Sequence, residues 1–149
     1  MYVDYDVVAE VLNRRLFTNF QQDLIEKVAA NPDRYVGSFR PSRPRAKLLQ
    51  NVLQSYEIRF GDAIEEITTL YFAAFGYENL PKSRIAPSGE TLSFDQISRE
   101  PSGRLVFVEQ KVRDDHDSTK KRGQADNFEK KYELLKSEAV QVVGGVFFA

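Results

Sequence analysis

The sequence predicts an α+β domain in which helices flank a mixed central sheet, preceded by an extra N-terminal helix. Three observations carry this. Apolar residues recur at helical spacing through the first half of the chain. An alternating pattern takes over between Thr91 and Val112. A helical stripe then returns before a last apolar run at 141–148. A helix crossing between two strands favours parallel pairing, whereas a short turn forces an antiparallel pair, so the sheet is mixed.

Each element follows from its residues. Val8, Leu12, Leu16, Phe20, Leu24 and Val28 recur every fourth position, widened by Phe17 and Ile25, and predict one helix over 5–30. Asn31-Pro32-Asp33 stops it, and Gly37, Pro41 and Pro44 make 34–45 a loop. A second helix is expected from about 46 to 75, with Gly61 as a point of interruption and Gly76 as its stop. Pro81 and Pro87 bracket an irregular or short-strand segment. Thr91–Ile97 and Arg104–Val112 read as strands, and Glu100-Pro101-Ser102-Gly103 joins them as a hairpin turning near 101–102. Ser118 caps a helix over 119–138 with Ala125, Phe128, Tyr132, Leu135 and Ala139 on its inner stripe, and 141–148 forms a final strand.

The 149 residues suit one domain, with 1–45 as an N-terminal helix and basic loop and 46–149 as the core. Hydrophobic residues make up 42% of the chain, enough for an ordinary core without staples. With no cysteine there is neither a disulfide nor a thiolate zinc site. The start M-Y-V-D-Y-D lacks a signal peptide's basic and apolar regions, and no apolar run reaches the ~18 residues of a membrane span, so a soluble, cytoplasmic protein is expected. Net charge is −1, but its distribution is uneven. Arg34, Arg40, Arg43, Arg45 and Lys47 run without an acid between them, and Lys120-Lys121-Arg122 follows Asp114-Asp115-His116-Asp117. Such patches can bind a polyanion locally while the whole chain stays near neutral.

The chemistry concentrates in the hairpin. Folded about its turn, it puts Asp95 opposite residue 108 or 109, so Asp95 and Glu109 meet at one edge, with Lys111 one step further along the face of Glu109. Two carboxylates this close need a counter-charge. Lys111 supplies part, and a hard divalent cation such as Mg²⁺ would supply the rest. Such a centre polarises a phosphodiester oxygen and lowers the pKa of a bound water. The plainer interpretation is a strand-end ion pair in solvent, worth little. The aspartate on the partner strand and the flanking basic clusters weigh against it.

Asp95 followed by V-E-Q-K at 108–111 resembles the signature of the PD-(D/E)XK nuclease superfamily. The run V-E-Q-K-V-R-D-D-H-D-S-T-K-K-R-G-Q, Val108 to Gln124, is similar to type II restriction endonucleases within it, and residues 46–149 follow its α-β-β-β-α-β order. Phe94 stands where the pattern has proline. The resemblance implies a restriction-endonuclease-like core and Mg²⁺-dependent hydrolysis of double-stranded DNA, with Mn²⁺ as a substitute. Asp95, Glu109 and the Gln110 backbone carbonyl would hold the metal, and Lys111 would assist the attacking water. One of Glu65 or Glu66, from the helix before the sheet, would join them. A DNA-repair or recombination nuclease, or a DNA-binding module without chemistry, stays open beside the restriction enzyme.

DNA contacts are expected from Arg40, Arg43, Arg45, Arg113, Lys120, Lys121, Arg122 and Gln124. Lys120–Arg122 fall in the first turn of a helix, where backbone N–H groups and the dipole also favour a phosphate. Arg113 is placed to read guanine. A solvated basic turn accounts for Lys120–Arg122 equally well. His116, the only histidine, is a loop residue or DNA contact rather than a catalytic base. The apolar ending V-V-G-G-V-F-F-A suggests a truncated strand or one completed by another chain, and a homodimer on DNA is expected, because a palindromic duplex has two-fold symmetry.

Overall fold

Helical periodicity does not survive every local break, and the first lies at Asn19. In the computed structural model, which describes residues 2–36, 43–111, 118–139 and 141–148, the expected 5–30 helix is two: α1 (Tyr5–Phe17) and α2 (Phe20–Ala30). Asn19 adopts the left-handed conformation, φ 59°, which asparagine tolerates better than most residues. The expected loop at 34–45 begins as a further turn of helix, α3 (Pro32–Val36), since proline suits a first helical turn even though it ends the helix before it. Residues 37–42 lie outside the described residues. The next helix, α4 (Pro44–Ala74), runs through Gly61 without interruption. Glycine there costs about 1 kcal/mol, which a helix this long absorbs.

The chain forms two compact units, Tyr5–Ile64 and the remainder, Met1–Asp4 with Glu65–Ala149, and their boundary falls inside α4. In Tyr5–Ile64, the Phe20 ring stacks on Tyr56 at 4.3 Å, and Arg59 ties down the α1–α2 break. Its guanidinium donates to the carbonyls of Arg15 and Thr18, both at 3.0 Å, and pairs with Asp23.

The second unit holds the sheets. Strands β1 (Glu78–Asn79), β4 (Gln96–Arg99), β5 (Leu105–Lys111) and β6 (Val142–Phe148) form a four-stranded sheet in the order β1-β4-β5-β6. β1–β4 and β4–β5 are antiparallel; β5–β6 is parallel, joined by the crossover helix α5 (Ser118–Glu138). β2 (Ser83–Ile85) and β3 (Thr91–Ser93) pair separately. The expected strand 91–97 is therefore broken. The Phe94 N–H bonds to the Lys82 carbonyl at 2.8 Å, which keeps Phe94 with the small sheet, and the chain bends at Asp95 before joining the large one. The hairpin turn is Glu100–Gly103, closed by Gly103 N–H to Glu100 C=O at 2.8 Å, with Gly103 at φ 90° as only glycine readily adopts.

Alternation along β5 sends Leu105, Phe107, Glu109 and Lys111 to one face and Val106, Val108 and Gln110 to the other. α5 covers the first, where Phe128 packs on Phe107 with ring centroids 4.8 Å apart. The end of α4 reaches the second, where the Gln110 side chain donates to Thr68 Oγ1. The sheet is thus flanked by helices, as expected. Its core is Leu92, Phe94, Ile97, Leu105, Phe107, Leu134 and Leu135. The inner stripe of α5 differs from the expected one: Ala125 is exposed, while Leu134 and Lys131 are buried. No helix among the described residues is long and apolar enough to cross a membrane.

Candidate functional site

The register of the hairpin decides what meets at its edge. Gln96 pairs with Val108, so the preceding residue, Asp95, comes across from Glu109, one of the two expected alternatives. Asp95 sits at the bend, outside the ladder, and its carboxylate takes the place of a backbone acceptor: the Gln110 N–H donates to Asp95 Oδ2 at 2.7 Å. A strand residue directs its N–H and C=O to the same side. The Gln110 carbonyl therefore faces the side of β5 on which Asp95 lies. Lys111 ends β5, half-buried, on the face of Glu109.

Glu109 is buried, and α5 supplies its partner. Lys131 Nζ donates to Glu109 Oε1 at 2.8 Å, with side-chain exposures of only 4% and 10%. The same ammonium lies 5.4 Å from the centre of the Phe94 ring. Burial pushes the Glu109 carboxyl above its ordinary value, and the Asp95 charge adds to the rise; the bond and charge of Lys131 and the charge of Lys111 oppose it. Asp95 and Glu109 thus repel each other, with two lysines as partial counter-charges.

The donor set suits a small hard cation. Among the described residues, Asp95 Oδ1 and Glu109 Oε2 remain outside the bonds just named, and the Gln110 carbonyl is a third oxygen on the same side. No group of three acidic or histidine side chains gathers among the described residues, so Asp95 and Glu109 stand there as a pair. Glu65 directs its carboxylate to Lys82 Nζ at 2.9 Å, and its carbonyl accepts from the Gln96 side chain. Glu66 is half-buried on the next position of α4.

The residues expected to contact DNA fall on several elements of the chain. Arg43 and Arg45 are exposed at the start of α4, in the unit Tyr5–Ile64. Gln124 is exposed on α5. Lys120, Lys121 and Arg122 fall in the first turns of α5, but their side chains lie outside the described residues, as do Arg40, Arg113 and His116. The residue that sequence reasoning missed is Lys131. It stands three positions after Phe128 and four before Leu135, both on the inner stripe, so helical spacing alone placed it inward. Its positive charge argued the other way.

Comparisons with models of known families, with curated proteins and with solved structures return no match.

Proposed function

We propose that the chain is a Mg²⁺-dependent endonuclease acting on double-stranded DNA, of the type II restriction kind. One observation carries the proposal: a single hairpin sets Asp95 across from Glu109, with the Gln110 peptide between them and Lys111 next along the same face. Supporting it, the helix, antiparallel hairpin, crossover helix and parallel strand run in the order of the PD-(D/E)XK core that these residues resemble.

Asp95, Glu109 and the Gln110 carbonyl would hold the cation, and Mn²⁺ would substitute. Bound there, Mg²⁺ supplies Lewis-acid polarisation of a phosphodiester oxygen and a more acidic water. Lys111 brings an ammonium to the same edge, where it would orient the attacking water and offset charge growing on the phosphate oxygens. Exposed Arg43 and Arg45, and the basic first turns of α5, would take backbone phosphates.

A second interpretation has one observation in its favour. Lys131 already neutralises Glu109, as it would in a DNA-binding module whose buried pair is only structural. Supercoiled plasmid separates the two. The nuclease nicks or linearises it with Mg²⁺ and leaves it intact in EDTA, and Asp95→Ala, Glu109→Ala and Lys111→Ala lose that activity. Asp95→Ala and Lys111→Ala do so while staying folded, with Glu109→Gln standing in for Glu109→Ala if the unpaired Lys131 unfolds it. Divalent-dependent cleavage retained in Asp95→Ala or Glu109→Ala would rule out this centre. DNA binding without any cleavage by the wild type would favour the module.

A further inference from the structure

Lys131 is the most deeply buried charged side chain described, and nothing in the proposed chemistry accounts for it. Its residue exposure is 3%, and its partner Glu109 lies 22 residues earlier, on β5. A lone surface ion pair would explain neither the depth nor the second contact, the Phe94 ring beneath the ammonium. Phe94 immediately precedes Asp95. One lysine therefore touches both segments that carry the acidic pair: Glu109 on β5 through its carboxylate, and the β3–β4 link through the ring of Phe94, the residue before Asp95.

With a divalent cation at Asp95 and Glu109 as proposed above, we infer that Lys131 is a positioning residue: by fixing Oε1 of Glu109 it presents Oε2 as a preorganised metal ligand. A free glutamate side chain samples several rotamers, and each must be given up when it binds a cation. A carboxylate held at one oxygen has already given them up and offers the other at a fixed place. Partners that hydrogen-bond a ligating carboxylate commonly set metal affinity in this way. Lys111 does not duplicate the role: its charge reaches Glu109, but the hydrogen bond comes from Lys131.

The test is Mn²⁺ binding to the whole chain, read from the loss of the free-ion electron paramagnetic resonance signal. Wild type, Asp95→Asn, Lys131→Met and Lys131→Gln are compared without DNA. The wild type is expected to bind Mn²⁺, and Asp95→Asn to lose that binding. Lys131→Met keeps the volume and removes the charge and the bond, and its affinity is expected to fall by about 10–100-fold. Its plasmid cleavage should recover at saturating Mn²⁺, which a purely structural defect would not allow. If Lys131→Met does not fold, Lys131→Gln, which loses the charge but keeps a neutral donor, carries the test with a smaller fall in affinity expected. A folded Lys131 variant with wild-type Mn²⁺ affinity would overturn the positioning role and leave the metal centre standing. Binding that is unchanged in Asp95→Asn would instead remove the metal centre, and the positioning role with it.

Discussion

Gly144 shows how little room β6 has where it crosses the core. A Cβ built there would lie 2.5 Å from the Phe107 ring and 2.7 Å from Phe128, well inside van der Waals contact, whereas at Gly145 nothing comes within 4 Å. Gly144→Ala is expected to destabilise by about 1–3 kcal/mol through overpacking. Gly145→Ala, by the same urea titration, should lose less than about 1 kcal/mol, since it crowds nothing. Glu109 makes a second prediction at this scale. Burial raises its carboxyl above the ordinary value of 4.5, so in the metal-free protein, between that value and the raised one, the folded state keeps a proton that the unfolded state has released. The stability it contributes is full below that value and is lost as pH rises through the raised one. Glu109→Gln should remove this fall. Urea unfolding in EDTA, from below pH 4.5 upward, measures it as a flatter stability profile than wild type.

Elements depend on such residues through partners distant in sequence. The α1–α2 break is held by Arg59, which satisfies two carbonyls left at the end of α1 and pairs with Asp23. Arg59→Met, keeping length but losing all three interactions, is expected to cost about 1–3 kcal/mol in chemical unfolding. An unchanged midpoint would show that the Asn19 conformation holds the break unaided. These long-range ties also explain what the sequence left unread. The β4–β5 hairpin was legible because its turn residues and its alternation are local. The bend at Asp95 was not: Phe94 fits the alternation, and the break exists because the Lys82 carbonyl and the Gln110 amide claim the backbone and side chain there. The Asn19 break was hidden likewise, since Leu16, Phe20 and Leu24 keep the helical period across it. Lys131 was missed because charge suggests solvent, and Glu109, with the Phe94 ring beside it, makes its burial tolerable. Asp95, Glu109 and Lys111 needed no such partner, because one turn and a period of two place them.

For the whole molecule, charge and sheet order bear on assembly. β6 is the last strand in the order β1-β4-β5-β6, and it carries no charge and no proline, with Val143, Val146 and Phe147 exposed by 43%, 46% and 47%. Edge strands of this kind pair readily with another chain. We therefore expect a homodimer on a palindromic duplex, formed through β6. Sedimentation with Ca²⁺ in place of Mg²⁺ should show two copies per duplex, reduced to one by Val146→Lys; a single copy for the wild type would exclude the dimer. The proposed chemistry rests on the metal centre. Its most direct measurement is the anomalous signal from a crystal soaked in Mn²⁺. A peak between the carboxylates of Asp95 and Glu109, on the side of the Gln110 carbonyl, is the predicted result. Saturating Mn²⁺ that leaves that position empty, with Lys131 still bonded to Glu109, would contradict it.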